Sequence, residues 1–399
     1  MKKILLEHVP HSLNYGTTMM AVNLINALKG TSIEIYLDTQ KEEDIINIRK
    51  SINGIKIKKD IFFQKRKKRF IRVFYKIFIQ PIKVHKYDYI FILGGDDLSE
   101  YYGRLNFLIN AISLLFYSKK KKRLFLLGQS VGPFTGINKI IAKYLISKSN
   151  LYTRDQYCSS YVKEILKIDN FVEARDLAFL SLPFQEQTSN FFKNYFLNTN
   201  EYITLVPSGL VECYTKNYEK YISQWMDCIL KIMEKYPDKK IVLLAHVVSL
   251  DDSGDINIIE ELFRKIPISE KNRVIKITES ILPVEARNVL GNSWCVITGR
   301  MHAAVSTFQM GKPAISLSYS VKYRGVIGNG LNREDLIIES ANEDFWKEEQ
   351  ISKHIIEKLC YLENNYSKIL QEVVEAVNQN KFIVQNMLLE IKNKIEKGI

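Results

Sequence analysis

No two of the five cysteines (Cys158, Cys213, Cys228, Cys295, Cys360) stand in a Cys-x-x-Cys spacing. A structural zinc site is therefore not expected, and the thiols read as reduced and structural, as in a cytosol-like compartment. No uncharged apolar run approaches the ~20 residues a membrane-spanning helix needs. The opening Met1-Lys-Lys-Ile-Leu-Leu-Glu7 is too short in apolar residues for a secretory signal, and a charge ends the run. A cytoplasmic protein is expected, one that can sit peripherally on the inner face of the cell membrane. Neither a P-loop nor the Gly-x-Gly-x-x-Gly dinucleotide fingerprint occurs, which argues against an NAD- or ATP-dependent enzyme. There is no repeat of fixed period and no long low-complexity tract.

What is present suits a folded protein of two domains. The 399 residues are 46% hydrophobic and 25% charged. Apolar runs of strand length are expected as strands over 4–7, 33–37, 89–93, 124–127 and 151–153. A second set covers 202–206, 241–246, 273–275, 295–298 and 314–318. Helical stretches alternate with them, so the sheets should be parallel and covered on both faces. The polar segment 181–200 separates the two sets. The expected fold is α/β: two doubly wound, Rossmann-like domains facing across a cleft (1–185 and 200–345), followed by C-terminal helices over 346–399. Ligands of such sheets bind beside the loops at the carboxyl ends of the strands.

The net charge of +13 has two readings. One is solubility in a Lys- and Ile-rich composition; the other is an anionic partner. The dense clusters are Lys65-Arg-Lys-Lys-Arg69 and Lys119-Lys-Lys-Lys-Arg123. Over Lys65–Gln80, the residues Phe70, Ile71, Val73, Phe74, Ile77 and Phe78 fall on one helical face, with Pro81 expected to end the helix. That face either packs into the core or meets an anionic membrane surface. Nucleic acid is not the expected partner.

The richest stretch is Val296–Lys322, read as strand, tight turn, short helix and second strand. Arg300 and His302 fall at the helix start, where backbone amides and the helix dipole favour an anion. Gly311 follows the helix end, a place for a left-handed residue, and Lys322 comes just past the second strand. Arg300 can fork onto a carboxylate or phosphate, and Lys322 can act as a point charge. His302 can be present in either protonation state near neutral pH. Other glycine-bearing turns come after apolar strands: Asn14-Tyr-Gly16, Gly94-Gly95-Asp96 and Gly128-Gln129-Ser130-Val-Gly132-Pro133. Asp155 reads as a helix cap or a partner of Arg154, and Asp176 as a turn residue or a contact to a sugar hydroxyl. His246, at a strand end, can face the cleft. Glu285 can complement a helix dipole or touch a ligand.

Thr298-Gly-Arg300-Met-His302, Gly311-Lys-Pro313 and Ser318-Tyr319-Ser-Val-Lys322 resemble a known signature. It is the Ser-x-Arg-x-His … Gly-x-Pro … Tyr-x-x-Lys pattern of the polysaccharide pyruvyl transferase family. The other turns, with Thr153-Arg154-Asp155 and Asp176-Leu-Ala-Phe179, come in the family's order. Three positions depart from it: Thr17-Thr18-Met19 stands after Gly16 in place of an acidic pair, Asp96 is third in a triple-glycine turn, and Thr298 replaces serine.

The resemblance implies a fold like that of B-type glycosyltransferases. It implies an enzyme that moves a pyruvyl group from phosphoenolpyruvate onto two hydroxyls of a sugar, giving a cyclic ketal and phosphate. The acceptor would belong to a cell-surface polysaccharide or its lipid-linked precursor, for instance a polyprenyl-diphosphate-linked one. His302, Arg300 and Lys322 would be catalytic. Gly299, Arg300, Lys322, Tyr319 and Ser130 would bind the donor; Asn14, Gly16, Gly95, Asp96, Gln129, Arg154, His246 and Glu285 would lie toward the acceptor. Phosphoenolpyruvate is a co-substrate, and neither metal nor cofactor is called for. The competing readings are a nucleotide-sugar-dependent glycosyltransferase on the same fold and a catalytically silent, membrane-associated scaffold.

Overall fold

The computed structural model describes the chain except residues 10, 40, 53, 61–68, 97, 102, 119–122, 188–194, 196, 252, 348–349 and 399. Two compact units divide it. Residues 1–12, 17–183 and 381–399 form the first; residues 13–16 and 184–380 form the second.

The first unit is built on β1 (Lys2–Glu7), β2 (Ile33–Asp38), β3 (Ile57–Asp60), β4 (Tyr89–Leu93), β5 (Leu124–Gln129) and β6 (Asn150–Thr153), in the order β3-β2-β1-β4-β5-β6. Every pairing is parallel. β4 and β5 are buried along their whole length, which is why they read as unbroken apolar runs.

The second unit holds β7 (Tyr202–Val206), β8 (Lys240–Leu244), β9 (Val274–Ile277), β10 (Cys295–Thr298), β11 (Ala314–Ser318) and β12 (Ile337–Glu339), in the order β12-β11-β10-β7-β8-β9. Its pairings are parallel too. Counted from its own first strand, each sheet runs 3-2-1-4-5-6, the Rossmann order. The direction of winding reverses between β1 and β4 and between β7 and β10, where such sheets open a crevice for ligands. β3 and β12 are not among the expected strands. Both are short edge strands, and β3 turns Lys58 and Lys59 to solvent, so neither carries a continuous apolar signal.

Division by chain order needs two corrections. Residues 13–16 belong to the second unit: the Val248 N–H donates to the Leu13 carbonyl at 2.9 Å, the Tyr15 N–H to the His246 carbonyl at 3.1 Å, and Asn14 bridges Val247 antiparallel. The 346–399 stretch is not a separate piece either. One helix, Gln350–Lys397, gives its residues up to 380 to the second unit and the remainder to the first.

Pro81 does not end the basic helix. The Arg69–Phe74 helix passes through a wide turn at Tyr75–Ile79 into Gln80–Lys83 and a tight turn at Val84–Lys86. Pro81 sits just past the wide turn, inside the continuous helical run 69–86. Lys65–Lys68 and Lys119–Lys122 lie outside the described residues.

Candidate functional site

In the second unit the loops leaving β7, β8, β10 and β11 bring Ser208, His246, Arg300 and Tyr319 onto one edge of the sheet, around its switch point. The Thr298 hydroxyl at the end of β10 accepts from the Arg300 N–H at 2.8 Å and turns the chain into the Met301–Gln309 helix. His302 therefore stands in that helix's first turn. Gly311 closes the other end with φ 73°, as expected.

Asp255 organises the site, and the sequence reading does not include it. Its carboxylate is fully buried and accepts from Arg300 Nη2 at 2.7 Å and Nε at 3.0 Å. It also accepts from the backbone N–H groups of Gly209 (2.9 Å), His246 (3.0 Å) and Val247 (2.8 Å). One side chain thus ties the ends of β7, β8 and β10 together. The Ser253 carbonyl takes a further bond from Arg300 Nη2. The only local clue is an aspartate just before the apolar pattern of the Ile256–Lys265 helix, which reads as a cap; the contact to Arg300 spans 45 residues.

Lys322 donates to the Tyr319 hydroxyl at 2.7 Å, and its ammonium lies 4.5 Å from that ring's centre. Burial raises the pKa of the Cys213 thiol, and the charges of Lys322 and Arg300 oppose that rise. His246 is fully buried, and its pKa is pushed well below 6.5 by burial first, then by His302, Arg300 and Arg287. Arg300 acts on both neighbours, so Lys322, Arg300, His302 and His246 share one electrostatic neighbourhood. Among the described residues, Nε2 of His246 has no hydrogen-bond partner. A buried polar atom left so costs ~1–3 kcal/mol, and a bound ligand can satisfy it.

The Leu13–Gly16 loop closes on this cluster. Tyr15 packs edge-on against His246, with ring centres 5.8 Å apart, and its hydroxyl accepts from the Ile281 N–H at 3.0 Å. A Cβ on Gly16 would lie 2.5–2.7 Å from His302, so the loop needs glycine to approach the imidazole. Asn14, Gly16, His246, Arg300, His302, Tyr319 and Lys322 are therefore all members of the second unit.

Two predicted ligand groups are occupied by the protein itself. Gly299 accepts on its carbonyl from the Tyr214 and Tyr323 hydroxyls (2.5 and 2.7 Å) and gives its N–H to Val206. A Cβ there would meet the Tyr214 hydroxyl at 2.8 Å, so this glycine serves packing. Burial keeps both phenols protonated. Glu285 turns back on its own helix start and accepts from the Leu282 N–H at 2.6 Å.

The remaining predicted groups gather in the first unit. Arg154, after β6, bonds Asp96 at 3.3 Å and the Ser130 hydroxyl. Burial works against its charge, and Asp96, Asp176 and Asp155 outweigh the burial. Gln129 donates to the carbonyls of Ile92 (3.2 Å) and Leu93 (2.9 Å) and leaves its buried Oε1 without a partner among the described residues. The Gly95 carbonyl accepts from the Ser130 N–H at 3.1 Å. Asp155 caps the next helix through the Cys158 N–H, and Asp176 holds a turn through the Ala178 N–H. Ser130, expected with the donor groups, thus stands with the expected acceptor groups.

Comparison with known proteins sets this geometry in a family. By fold, the chain is similar to UDP-GlcNAc 2-epimerase from Neisseria meningitidis (TM-score 0.64, 12% identity, 98% of this chain and 99% of that one). MnaA from S. aureus, solved with UDP, gives a TM-score of 0.65 at 13% identity over 99% and 97%. A glycosyltransferase from Rickettsia africae gives 0.56 at 15% identity over 99% of each chain. These likenesses show the two-domain, Rossmann-like architecture of B-type glycosyltransferases. The amylovoran biosynthesis protein AmsJ of Erwinia amylovora is 21% identical over 324 residues, covering 78% of this chain and 74% of AmsJ. The family model "polysaccharide pyruvyl transferase" matches residues 14–321, from the loop that closes on His302 to the residue before Lys322, and the chain belongs to that family.

Proposed function

We propose that this protein transfers the pyruvyl group of phosphoenolpyruvate to two hydroxyls of one sugar during polysaccharide biosynthesis. The carrying observation is the cluster after β10: Arg300 oriented by Asp255, His302 in the first helical turn, Lys322 on Tyr319, and a neutral His246 with an unsatisfied ring nitrogen. A trianionic donor with a phosphate and a carboxylate matches two cations and a helix start. The acceptor is a precursor sugar, which can be polyprenyl-diphosphate-linked and so met at the cytoplasmic face of the membrane.

Each residue has its own part in the reaction. Arg300 and Lys322 hold the donor's phosphate and carboxylate. His302 gives a proton to the methylene carbon, which becomes the methyl group and leaves the central carbon electron-poor. One sugar hydroxyl adds to that carbon and returns its proton to His302. The second hydroxyl displaces phosphate, which departs with the second proton, and the ketal closes. Gly16 borders His302, and in the first unit the Gln129–Arg154–Asp96 group supplies amide, guanidinium and carboxylate suited to sugar hydroxyls.

Thermal melting of the purified protein with phosphoenolpyruvate, then with UDP-GlcNAc, tests the reading. A ligand of the folded state adds ~2.7 kcal/mol at a hundred times its dissociation constant. The expected result is a rise with phosphoenolpyruvate that Lys322→Ala abolishes, and phosphate release only when an acceptor is added. A rise with UDP-GlcNAc and none with phosphoenolpyruvate would replace this reading with glycosyl transfer from a nucleotide sugar.

A further inference from the structure

We propose that one face of the first unit docks on an anionic lipid surface. The inference is independent of the reaction proposed above.

Three helical segments lie side by side on this unit: residues 69–86, Arg104–Ser118 and Gly136–Ser147. Lys76 donates to the Asn110 side chain and Tyr117 to Gln80 at 3.3 Å, joining the first to the second. Asn138 donates to the Arg104 carbonyl at 3.1 Å, joining the second to the third.

Each segment turns apolar side chains outward. The first buries Tyr75, Gln80 and Val84, and on its other side exposes Ile71, Phe74, Phe78 and Ile82 by 43–69%. The third exposes Ile137, Ile140 and Tyr144 by 56–70%. Between them Leu105 is exposed, and a groove lined by Ile112, Leu115, Phe116, Tyr144 and Lys148 joins the second segment to the third. Single exposed apolar residues are ordinary, but here the stripes of the first and third segments are bridged by Leu105 and by the half-buried Ile112, Leu115 and Phe116 of the groove.

Charge selects the occupant. Every charged residue within 69–86, 104–118 and 136–148 is lysine or arginine; there is no aspartate or glutamate. Lys139, Lys143 and Lys148 are exposed beside the third stripe. Glu100 lies at the seam, where it accepts from Asn138 and pairs with Arg104, and Asp60 pairs with Lys86. The exposed Lys139, Lys143 and Lys148 beside the apolar side chains still complement an anionic bilayer whose headgroup boundary those side chains enter. A second copy of the same face would set like charges against each other. Nucleic acid would leave Ile82, Ile137 and Ile140 without apolar cover. No described helix is long and apolar enough to cross a bilayer, so the contact is a surface one.

Flotation of the full chain with vesicles of phosphatidylcholine, with and without phosphatidylglycerol, is the test. Wild type should float only with the anionic vesicles, and less as salt rises. Phe74→Ser/Phe78→Ser should lower partitioning by roughly tenfold or more. Lys139→Glu/Lys143→Glu should lower it on anionic vesicles. All four positions are solvent-facing, so melting temperatures should match wild type; a variant that melts early is replaced by Ile137→Ser/Ile140→Ser. Wild type that stays unbound, or a serine variant that floats like wild type, overturns the proposal. So does a dimer in light scattering that the serine variant dissolves without any vesicle binding, since the face then belongs to a second copy. Binding of an oligonucleotide without vesicle binding overturns it in the same way.

Discussion

The two units share one strand order and differ in the loop that leaves the fourth strand. β4 runs into Gly94-Gly95-Asp96, whereas β10 runs into Gly299-Arg300-Met301-His302. The same topological position therefore carries an acid in one unit and a guanidinium with an imidazole in the other. Each unit also holds an arginine–aspartate pair, built differently. Arg154 is locked in, its side chain 2% exposed, with Asp96 at 3.3 Å and further carboxylates nearby. Arg300 is 12% exposed and leans on Asp255 at 2.7 Å. The first arrangement closes its charges on one another; the second leaves its guanidinium partly exposed. Fold alone does not choose the ligand here, since the sheets are alike and the loop chemistry is opposite.

Removing the two aspartates should separate the pairs most sharply. Asp255→Ala strands Arg300 and three backbone N–H groups, a loss of about 3–5 kcal/mol in denaturant unfolding. Asp96→Ala should cost less, about 1–3 kcal/mol, because Asp155 and Asp176 still neutralise Arg154. Equal losses would mean that the two pairs are equivalent supports. The next largest effect concerns turnover. His302→Ala should lower kcat by ~10²–10⁴-fold with unchanged melting, as loss of a positioned proton donor does. Gln129→Leu should act mainly on KM for the acceptor. A His302→Ala enzyme with near-normal kcat would remove the imidazole from the reaction.

The same division decides how much of the molecule is legible in the chain. The central strands can be read because burial on both faces leaves an unbroken apolar run; the edge strands β3 and β12 cannot. Arg300, His302 and Lys322 are legible because a strand end and a helix start place them within one short stretch. Asp255 is not, since its meaning depends on a contact to Arg300, 45 residues away in the chain. Nor can local pattern show that Asn14 and Gly16 join the second unit, because an isolated bridge to Val247 decides it. The glycines are visible, but not their purposes. Gly299 admits Tyr214, Gly16 admits His302, and Gly128 simply takes a positive φ of 62°.

That contrast between glycines gives a smaller prediction. Gly16→Ala should cost about 1–3 kcal/mol, because its Cβ would overlap the imidazole, and should lower kcat as His302 is displaced. Gly128→Ala meets open space and carries only the backbone penalty, about 1–2 kcal/mol, with kcat unchanged. If Gly128→Ala also abolished turnover, the first unit's loop would have to share in the chemistry step.

The smallest effect is on pH dependence, and it isolates His246. Burial first, and then His302, Arg300 and Arg287, hold its pKa well below the ordinary 6.5. The unfolded chain therefore takes up a proton at this position as pH falls below 6.5, while the folded protein resists. The unfolded state binds more protons in that window, so stability rises with pH there. The contribution is complete above about pH 6.5 and is lost as pH drops toward the folded value, at no more than ~1.4 kcal/mol per pH unit. Urea unfolding across about pH 5–7 should show this slope, and His246→Gln should flatten it. Asp96→Asn removes no imidazole, so it should leave the slope intact. A slope that survives His246→Gln would mean that His246 is not the buried neutral group behind it.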